Sequence, residues 1–162
     1  MIFVTVGTQI PFDRLVKAID DACENGLFNE EIFAQIGDSS YKPRNFKYVK
    51  FLEKIHFDSR FKDALKIISH AGIGTVTMAM NYSKPLLVLP RLARHGEIVN
   101  DHQLDIARKF AKSDYLLVAY DTKELCQKIE ELKNFVPKRR QAQVESVVER
   151  ISKFLLQVSN KD

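Results

Sequence analysis

The sequence predicts an α/β fold: a Rossmann-like, doubly wound and mainly parallel sheet of about six strands, with helices on both faces. Six short apolar runs recur along the chain, which is typical of strands buried on both faces. Segments with apolar residues three or four positions apart lie between them and predict helices. Gly7, Gly37 and Gly72 each lie just past a predicted strand, as tight loops at the carboxyl edge of a parallel sheet require.

Strands that alternate with helices predict right-handed βαβ units. The predicted strands share short length and apolar character; they are Ile2–Val6, Ile32–Ile36, Lys47–Phe51, Leu65–Ser69, Leu86–Leu89 and Tyr115–Ala119. The predicted helical segments share the helical apolar spacing; they are Phe12–Ala22, Val76–Tyr82, Asp101–Lys112 and Leu125–Leu132. The segment Phe57–Phe61 is interpreted as a core-facing turn or a short helix.

The C-terminal part of the chain predicts one further helix. Pro137 breaks the preceding pattern, and three basic residues at 138–140 open a stretch with an amphipathic apolar stripe. We expect an amphipathic helix over residues 138–158 that packs across the domain or onto a partner. No repeat or linker interrupts the sequence, so residues 1–162 are predicted to form a single domain.

Composition narrows the class of protein. The chain is 45% hydrophobic and 28% charged, with a net charge of +4 and an isoelectric point near 9.0. This mild basicity favours an acidic ligand or an anionic membrane face and is too weak to predict nucleic-acid binding. Cys23 and Cys126 have no metal-ligand spacing and indicate no disulfide framework, and the N-terminus lacks the basic region of a signal peptide. We therefore expect a cytoplasmic location.

The loop Ser69–Thr75 is the first candidate site. It joins a predicted strand to a predicted helix, and such a junction exposes backbone N–H groups beside the positive end of the helix dipole. Gly72 and Gly74 let a ligand approach the backbone, His70 could donate to a phosphate, and Thr75 could cap the helix. The loop predicts an anion site, with a plain turn and a structural histidine as the alternative.

The second candidate site is the polar segment Arg91–Gln103, which follows the predicted strand ending at Leu89. Asn100 is the predicted N-cap of the following helix, and Asn, His and Gln side chains suit sugar hydroxyls. Arg91 and Arg94 suit phosphate. The alternative is a polar surface loop with a well-capped helix. The histidines and carboxylates of this segment match no metal-ligand spacing, so no metal site is predicted.

The loop after the first predicted strand, Gly7-Thr8-Gln9, lacks the full glycine fingerprint of a dinucleotide site. No nucleophile motif of the Gly-x-Ser-x-Gly type occurs, and the residues of this chain predict no catalytic residue.

Taken in order, several motifs resemble one enzyme family. They are Phe3-Val4-Thr5-Val6-Gly7-Thr8, Phe12-Asp13 with Leu15, Ser69-His70-Ala71-Gly72-Ile73-Gly74-Thr75, Lys84-Pro85 with Pro90, and Asn100-Asp101-His102-Gln103. This order resembles the C-terminal, donor-binding domain of GT-B glycosyltransferases of the MurG type. It is most similar to the split version, whose small subunit resembles the eukaryotic Alg13 protein and bacterial PssE-type exopolysaccharide or capsule subunits.

The resemblance implies a UDP-sugar-binding subunit of a two-component inverting glycosyltransferase, which transfers a sugar to a lipid-linked acceptor without a cofactor or an essential metal. It implies a membrane-anchored partner subunit that carries the acceptor side and supplies the general base. The residues implied to hold the donor diphosphate are His70, Ala71, Gly72, Ile73, Gly74 and Thr75. Those implied for the donor sugar and phosphates are Gly7, Thr8, Arg91, Glu97, Asn100, His102 and Gln103.

Two positions depart from the family pattern. Met78 stands where related enzymes carry an acidic residue that binds the ribose hydroxyls, and Ala71 stands where a glycine is common. Met78 motivates an alternative function, a non-catalytic module that stabilises a partner glycosyltransferase. A third reading, a self-sufficient nucleotide-dependent enzyme at a homodimer interface, lacks a visible acid–base set.

Overall fold

A computed structural model describes residues 1–139 and residue 152. Its six strands are all parallel and short; they are β1 (Ile2–Thr5), β2 (Ile32–Gln35), β3 (Lys47–Val49), β4 (Lys66–Ser69), β5 (Leu86–Val88) and β6 (Leu117–Val118). The described helices are α1 (Asp13–Glu24), α2 (Lys54–Asp63), α3 (Ile73–Asn81), α4 (His102–Ala111) and α5 (Thr122–Leu132). A 3₁₀ turn, Ala93–His95, lies between β5 and α4.

The strand order across the sheet is β3-β2-β1-β4-β5-β6. The chain builds outwards from β1 in one direction through β3, then returns and builds outwards in the other direction through β4. The boundary between β1 and β4 is therefore the topological switch point of a doubly wound sheet. In this register Val4 lies beside Ile68 and Thr5 beside Ser69, so both strands end at the same level. The predicted Rossmann-like α/β fold is confirmed.

Helices cover both faces of the sheet. The first apolar cluster joins Val4 and Val6 to the buried faces of α1 and α5, including Leu15 and Ile129. The second cluster lies on the opposite face, where Phe3 packs with residues of α2, α3 and α4. Successive side chains of β1 enter different clusters because side chains alternate across a strand. This explains why the strands are apolar at consecutive positions rather than at every second one.

The observed strands are shorter than the predicted ones because the predicted runs extend beyond the paired residues, at the carboxyl end of most strands, at the amino end of β4 and at both ends of β6. The α2 helix is longer than the predicted segment Phe57–Phe61; its one fully buried residue is Phe61, and Ile55 is exposed. Because α2 has no apolar stripe, the spacing of apolar residues in the sequence does not indicate how long this helix is. The predicted helix over residues 138–158 lies outside the described residues, except for its first two positions and Ser152. The prediction of a single domain over residues 1–162 stays a prediction.

Asp20 on α1 fixes the segment between β2 and β3. Its carboxylate accepts hydrogen bonds from Tyr41 Oη at 2.8 Å, from the backbone N–H of Arg44 at 3.0 Å and from that of Asn45 at 2.8 Å. Burial raises the pKa of Asp20, but the hydrogen bonds from Asn45, Tyr41 and Arg44 outweigh it and hold the pKa below the usual value of 3.8. The ionised form is therefore the one that stabilises the fold.

We expect Asp20→Ala to lower the free energy of unfolding by about 3 kcal/mol at neutral pH, because a buried charged acceptor and several donors lose their partners. The pKa of Asp20 is lower in the folded state, so its contribution is present above pH 3.8 and is lost as the pH falls below that value. Urea denaturation at neutral and acidic pH measures both effects. A difference from wild type that stays constant into acid would contradict this account.

Candidate functional site

The carboxyl ends of β1, β4 and β5 open into one cleft of about 540 Å³. It lies at the topological switch point, where open α/β sheets bind ligands. Eleven of the thirteen predicted site residues line it: Gly7, Thr8, His70, Gly72, Ile73, Gly74, Thr75, Arg91, Asn100, His102 and Gln103. The sequence segments that suggested two separate candidate sites thus form one.

The first turn of α3 forms one wall of the cleft. The helix begins at Ile73, three residues before the predicted start at Val76, and its N-cap is Gly72 rather than Thr75. The N–H groups of a first helical turn have no acceptor within the helix, and no side chain caps this one. No acidic residue lies in that turn. Ile73, Gly74 and Thr75 therefore bring free donors and the positive helix end to the cleft.

The imidazole of His70 lies against two glycines. A Cβ atom built on Gly72 would lie 2.3 Å from His70 Nε2, and one built on Gly7 would lie 2.9 Å from His70 Cε1. Gly7 also has a φ of +78°, a left-handed conformation that favours glycine. Burial lowers the pKa of His70 to about 4, and the positive charge of Arg91 adds to this effect. His70 is therefore neutral at neutral pH.

Arg91 closes the floor of the cleft. Its side chain is 3% exposed, and its guanidinium donates to Val6 O at 2.7 Å and to Ile10 O. It stacks over the Phe12 ring, with 4.9 Å between the guanidinium carbon and the ring centroid. Its buried Nε has no hydrogen-bond partner among the described residues. Burial lowers the pKa of Arg91 to about 10, so Arg91 keeps its positive charge at neutral pH.

Amide and imidazole side chains at the start of α4 form the opposite wall. Gln103 is buried and accepts the backbone N–H of Arg91 at 3.1 Å, which leaves its NH₂ group to be satisfied elsewhere. Asn100 Oδ1 accepts from the His102 backbone at 3.3 Å and lies 2.6 Å from His102 Nδ1. The helix N-cap is Asp101 rather than the predicted Asn100. Asn100 and His102 are both exposed.

Two predicted site residues do not line the cleft. Ala71 is fully buried in the second apolar cluster and contacts the sheet face instead. Glu97 turns away towards α1, where its carboxylate pairs with Arg14 through two hydrogen bonds of 2.7 and 2.8 Å and also accepts the Leu92 N–H at 3.0 Å. Sequence position alone does not show which side of a loop a side chain takes, and the half-buried Arg14 holds this carboxylate away from the cleft.

Removing the Glu97 carboxylate tests this placement. We expect Glu97→Ala to lower the free energy of unfolding by about 2 kcal/mol, because a shielded ion pair and a backbone hydrogen bond are lost together. A double-mutant cycle with Arg14→Ala should give a coupling energy of about 1 kcal/mol or more. Chemical denaturation of the four proteins measures it. Additive effects of the two substitutions would contradict the pairing.

Sequence reasoning missed five residues that line the cleft. Gln9 and Ile10 belong to the loop after β1, where the incomplete glycine fingerprint gave no reason to extend the site. Val6, Ile98 and Val99 are apolar and carried no chemical signal. Val99 is 95% exposed at the rim, where it lies between Ile98 and Asn100. The apolar pair Ile98-Val99 inside the polar segment 91–103 is the one sequence signal that could have been noticed.

A second groove of about 530 Å³ lies beside the cleft and shares Ile73 and Gly74 with it. Met78 lines this groove, so the position that departs from the family pattern faces a surface continuous with the cleft. The carboxylate in its lining is Asp58, which pairs with Lys54 at 2.7 Å. Within residues 1–139 no group of three or more His, Cys, Asp or Glu side chains could hold a metal ion. No described helix is both long and apolar enough to cross a bilayer.

Comparison with known protein families identifies the family of this chain. The model of the glycosyltransferase family 28 C-terminal domain matches residues 1–156. The chain belongs to this family. The recognised resemblance to MurG-type donor-binding domains is thereby confirmed, and the chain is a glycosyltransferase domain by family.

Curated relatives of this glycosyltransferase family 28 domain include UDP-N-acetylglucosamine transferase subunit ALG13. The human protein is 31% identical over 127 residues, which are 71% of this chain and 10% of the human protein. The Candida albicans protein is 31% identical over 107 residues, which are 61% of this chain and 35% of that protein. The chain thus spans about a tenth of the human relative and about a third of the fungal one.

Solved structures show the same fold. An NMR structure of ALG13 has a TM-score of 0.61 and 19% identity, with 93% of both chains covered. MurG of Acinetobacter baumannii has a TM-score of 0.60 and 21% identity, covering 82% of this chain and 41% of that one. The likeness extends over nearly the whole of one structure and less than half of the other.

Proposed function

We propose that this chain binds the UDP-N-acetylglucosamine donor in the cleft at the switch point, as one subunit of a glycosyltransferase. One observation carries the proposal: the uncapped first turn of α3 and the buried cation Arg91 line the same cleft. Uncapped helix N–H groups and a guanidinium are complementary to a diphosphate. The names of the curated relatives support N-acetylglucosamine as the sugar.

In this proposal the diphosphate lies at the first turn of α3 and the sugar lies towards Asn100, His102 and Gln103. Transfer breaks the bond between the anomeric carbon and the diphosphate, so negative charge develops on the departing UDP. Fixed N–H donors, the helix dipole and Arg91 stabilise that charge electrostatically. No metal ion is needed for this role. Inversion at the anomeric carbon requires the acceptor hydroxyl to attack from the opposite side, and the general base comes from the partner.

The proposed partner is a membrane-anchored subunit that binds a lipid-linked sugar acceptor, in a pathway that builds a polysaccharide. The word "subunit" in the names of the curated relatives supports a second chain. The net charge of +4 is compatible with electrostatic attraction of the chain to an anionic membrane face. We propose that the chain acts at the cytoplasmic face of the membrane, recruited there by this partner.

Calorimetric titration with UDP-N-acetylglucosamine tests donor binding directly. We expect saturable binding by the wild-type chain, competition by UDP, and unchanged binding in Arg94→Ala, which removes an exposed positive charge outside the cleft lining. Titration with UDP-glucose and UDP-galactose compares donor sugars. Absence of binding to every UDP-sugar, both for the isolated chain and for its complex with the partner, would contradict the proposal.

Transfer is tested with the product of the adjacent reading frame, radiolabelled UDP-N-acetylglucosamine and membranes that contain the lipid acceptor. We expect transfer only when both chains are present. The non-catalytic alternative predicts that the partner is fully active alone and that this chain changes only its yield. A Gly72→Ala chain that still forms the complex should give much less transfer than wild type in the first case and the same transfer in the second.

A further inference from the structure

A chain of hydrogen bonds runs from the end of β1 to the imidazole at the cleft. Ser69 is fully buried at the end of β4, and its hydroxyl donates to the Thr5 carbonyl at 2.6 Å. The same oxygen lies 3.0 Å from His70 Nδ1. Since the single hydroxyl proton is committed to Thr5, Ser69 can only accept from His70. Nδ1 therefore carries the proton of the neutral ring.

The other ring nitrogen then has no proton. Nε2 lies on the side of the ring that faces Gly72, at the start of the first turn of α3, and His70 lines the cleft. An unprotonated ring nitrogen is a hydrogen-bond acceptor, and the oxygens of a diphosphate are acceptors as well. Two acceptors cannot form a hydrogen bond with each other. In this state the imidazole cannot donate to a phosphate, although the sequence suggested that role for His70.

We propose that Ser69 is a positioning residue that fixes His70 with an unprotonated Nε2, and that binding of a diphosphate ester in the cleft therefore takes up a proton at Nε2. The inference rests on the proposed function and deepens it. Protonation keeps both internal hydrogen bonds, because Nδ1 still donates to Ser69 and Ser69 still donates to Thr5. It adds an Nε2–H donor and a positive charge directed at the bound anion.

The groups around His70 set the direction of the effect. Burial disfavours a positive charge on His70 most, and the charge of Arg91 disfavours it further, whereas the Thr5 carbonyl favours it. Together these effects lower the pKa of free His70 to about 4. The other titratable side chain among the described cleft residues is His102 on α4. A bound diphosphate offsets Arg91 and raises the pKa of His70. Affinity is then greatest below the free pKa of about 4, falls as the pH rises from there to the raised pKa, and levels off above it.

Calorimetry of UDP-N-acetylglucosamine binding, in two buffers with different ionisation enthalpies, measures the proton uptake. A nucleotide sugar suits this test because its diphosphate is esterified at both ends and has no proton that titrates near neutrality. From about pH 5 to about pH 7 we expect uptake approaching one proton and an affinity that falls by up to about tenfold per pH unit. His56→Gln, at an exposed position on α2, is the matched control and should keep the same uptake.

Nitrogen NMR of His70 in the free protein tests the positioning by Ser69. We expect the Nδ1–H tautomer in wild type and in Ser69→Thr, which retains a hydroxyl. In Ser69→Ala the preference for the Nδ1–H tautomer should be lost and the proton uptake should fall. The reason is that the neutral Nε2–H tautomer donates to phosphate without taking up a further proton. An Nε2–H tautomer in the free wild-type protein would overturn the inference.

The outcomes of the binding experiment separate the two proposals. Binding with no proton uptake would overturn this inference and leave the donor site intact. Absence of binding at every pH would overturn the proposed function and this inference together.

Discussion

Gly72→Ala should lower the donor affinity by at least about tenfold and should lower the free energy of unfolding by about 1–3 kcal/mol. The added Cβ would lie 2.3 Å from His70 Nε2. The ring cannot rotate freely to relieve this contact, because it is held by Ser69 and also lies against Gly7. Calorimetric titration with UDP-N-acetylglucosamine and urea denaturation measure the two effects.

Gly74→Ala is the matched control for stability. Gly74 lies two residues further along in the first turn of α3, and a Cβ there would meet nothing within 4 Å. Alanine is preferred over glycine in a helix, so this variant should be as stable as wild type or up to about 1 kcal/mol more stable. A Gly72→Ala protein with wild-type stability and affinity would contradict the steric account. Combining Gly72→Ala with His70→Ala should recover most of the lost stability.

Arg91→Ala should have the second large effect. We expect the free energy of unfolding to fall by about 3 kcal/mol, because Val6 O and Ile10 O lose a buried donor and the Phe12 ring loses its stacking partner. Donor affinity should fall by at least about tenfold, since a desolvated positive charge beside the proposed diphosphate is removed. Thermal denaturation and calorimetric titration measure the two effects.

The neighbouring arginine provides the contrast. Arg94→Ala removes the same charge from an exposed position in the 3₁₀ turn and should change stability by no more than about 0.5 kcal/mol. Arg91→Lys keeps the charge but lacks the planar fork that reaches two carbonyl groups, so it should recover affinity only in part. Equal effects of Arg91→Ala and Arg94→Ala would show that net charge, rather than this buried guanidinium, governs binding.

The fold was predictable because β1, β4 and β5 are buried on both faces and therefore carry apolar residues at consecutive positions, which a sequence records directly. The α2 helix was not predictable in length, because it buries one residue fully and its pattern is set by contacts with the Phe3 ring rather than by an apolar stripe. The start of α3 was placed too late, since Gly72 and Gly74 suggested a loop while Gly74 lies within the first turn.

The candidate site was predictable to the extent that topology determines it. The residues after β1, β4 and β5 had to meet, because parallel strands end at one edge. The direction of individual side chains depends on tertiary partners that lie far away in sequence. Glu97 illustrates this: its partner Arg14 is 83 residues away, and nothing in the local sequence indicates the pairing. The acceptor state of His70 depends likewise on Thr5 through Ser69.

The order of the strands has a consequence for how the molecule folds. β1, β2 and β3 lie within the first 49 residues and can pair early, whereas the β1–β4 pairing must close a chain segment of about 60 residues. The cleft lies over that late pairing. We therefore expect its amide protons to gain protection from hydrogen exchange last during refolding, and an added nucleotide sugar to slow unfolding more than it speeds folding.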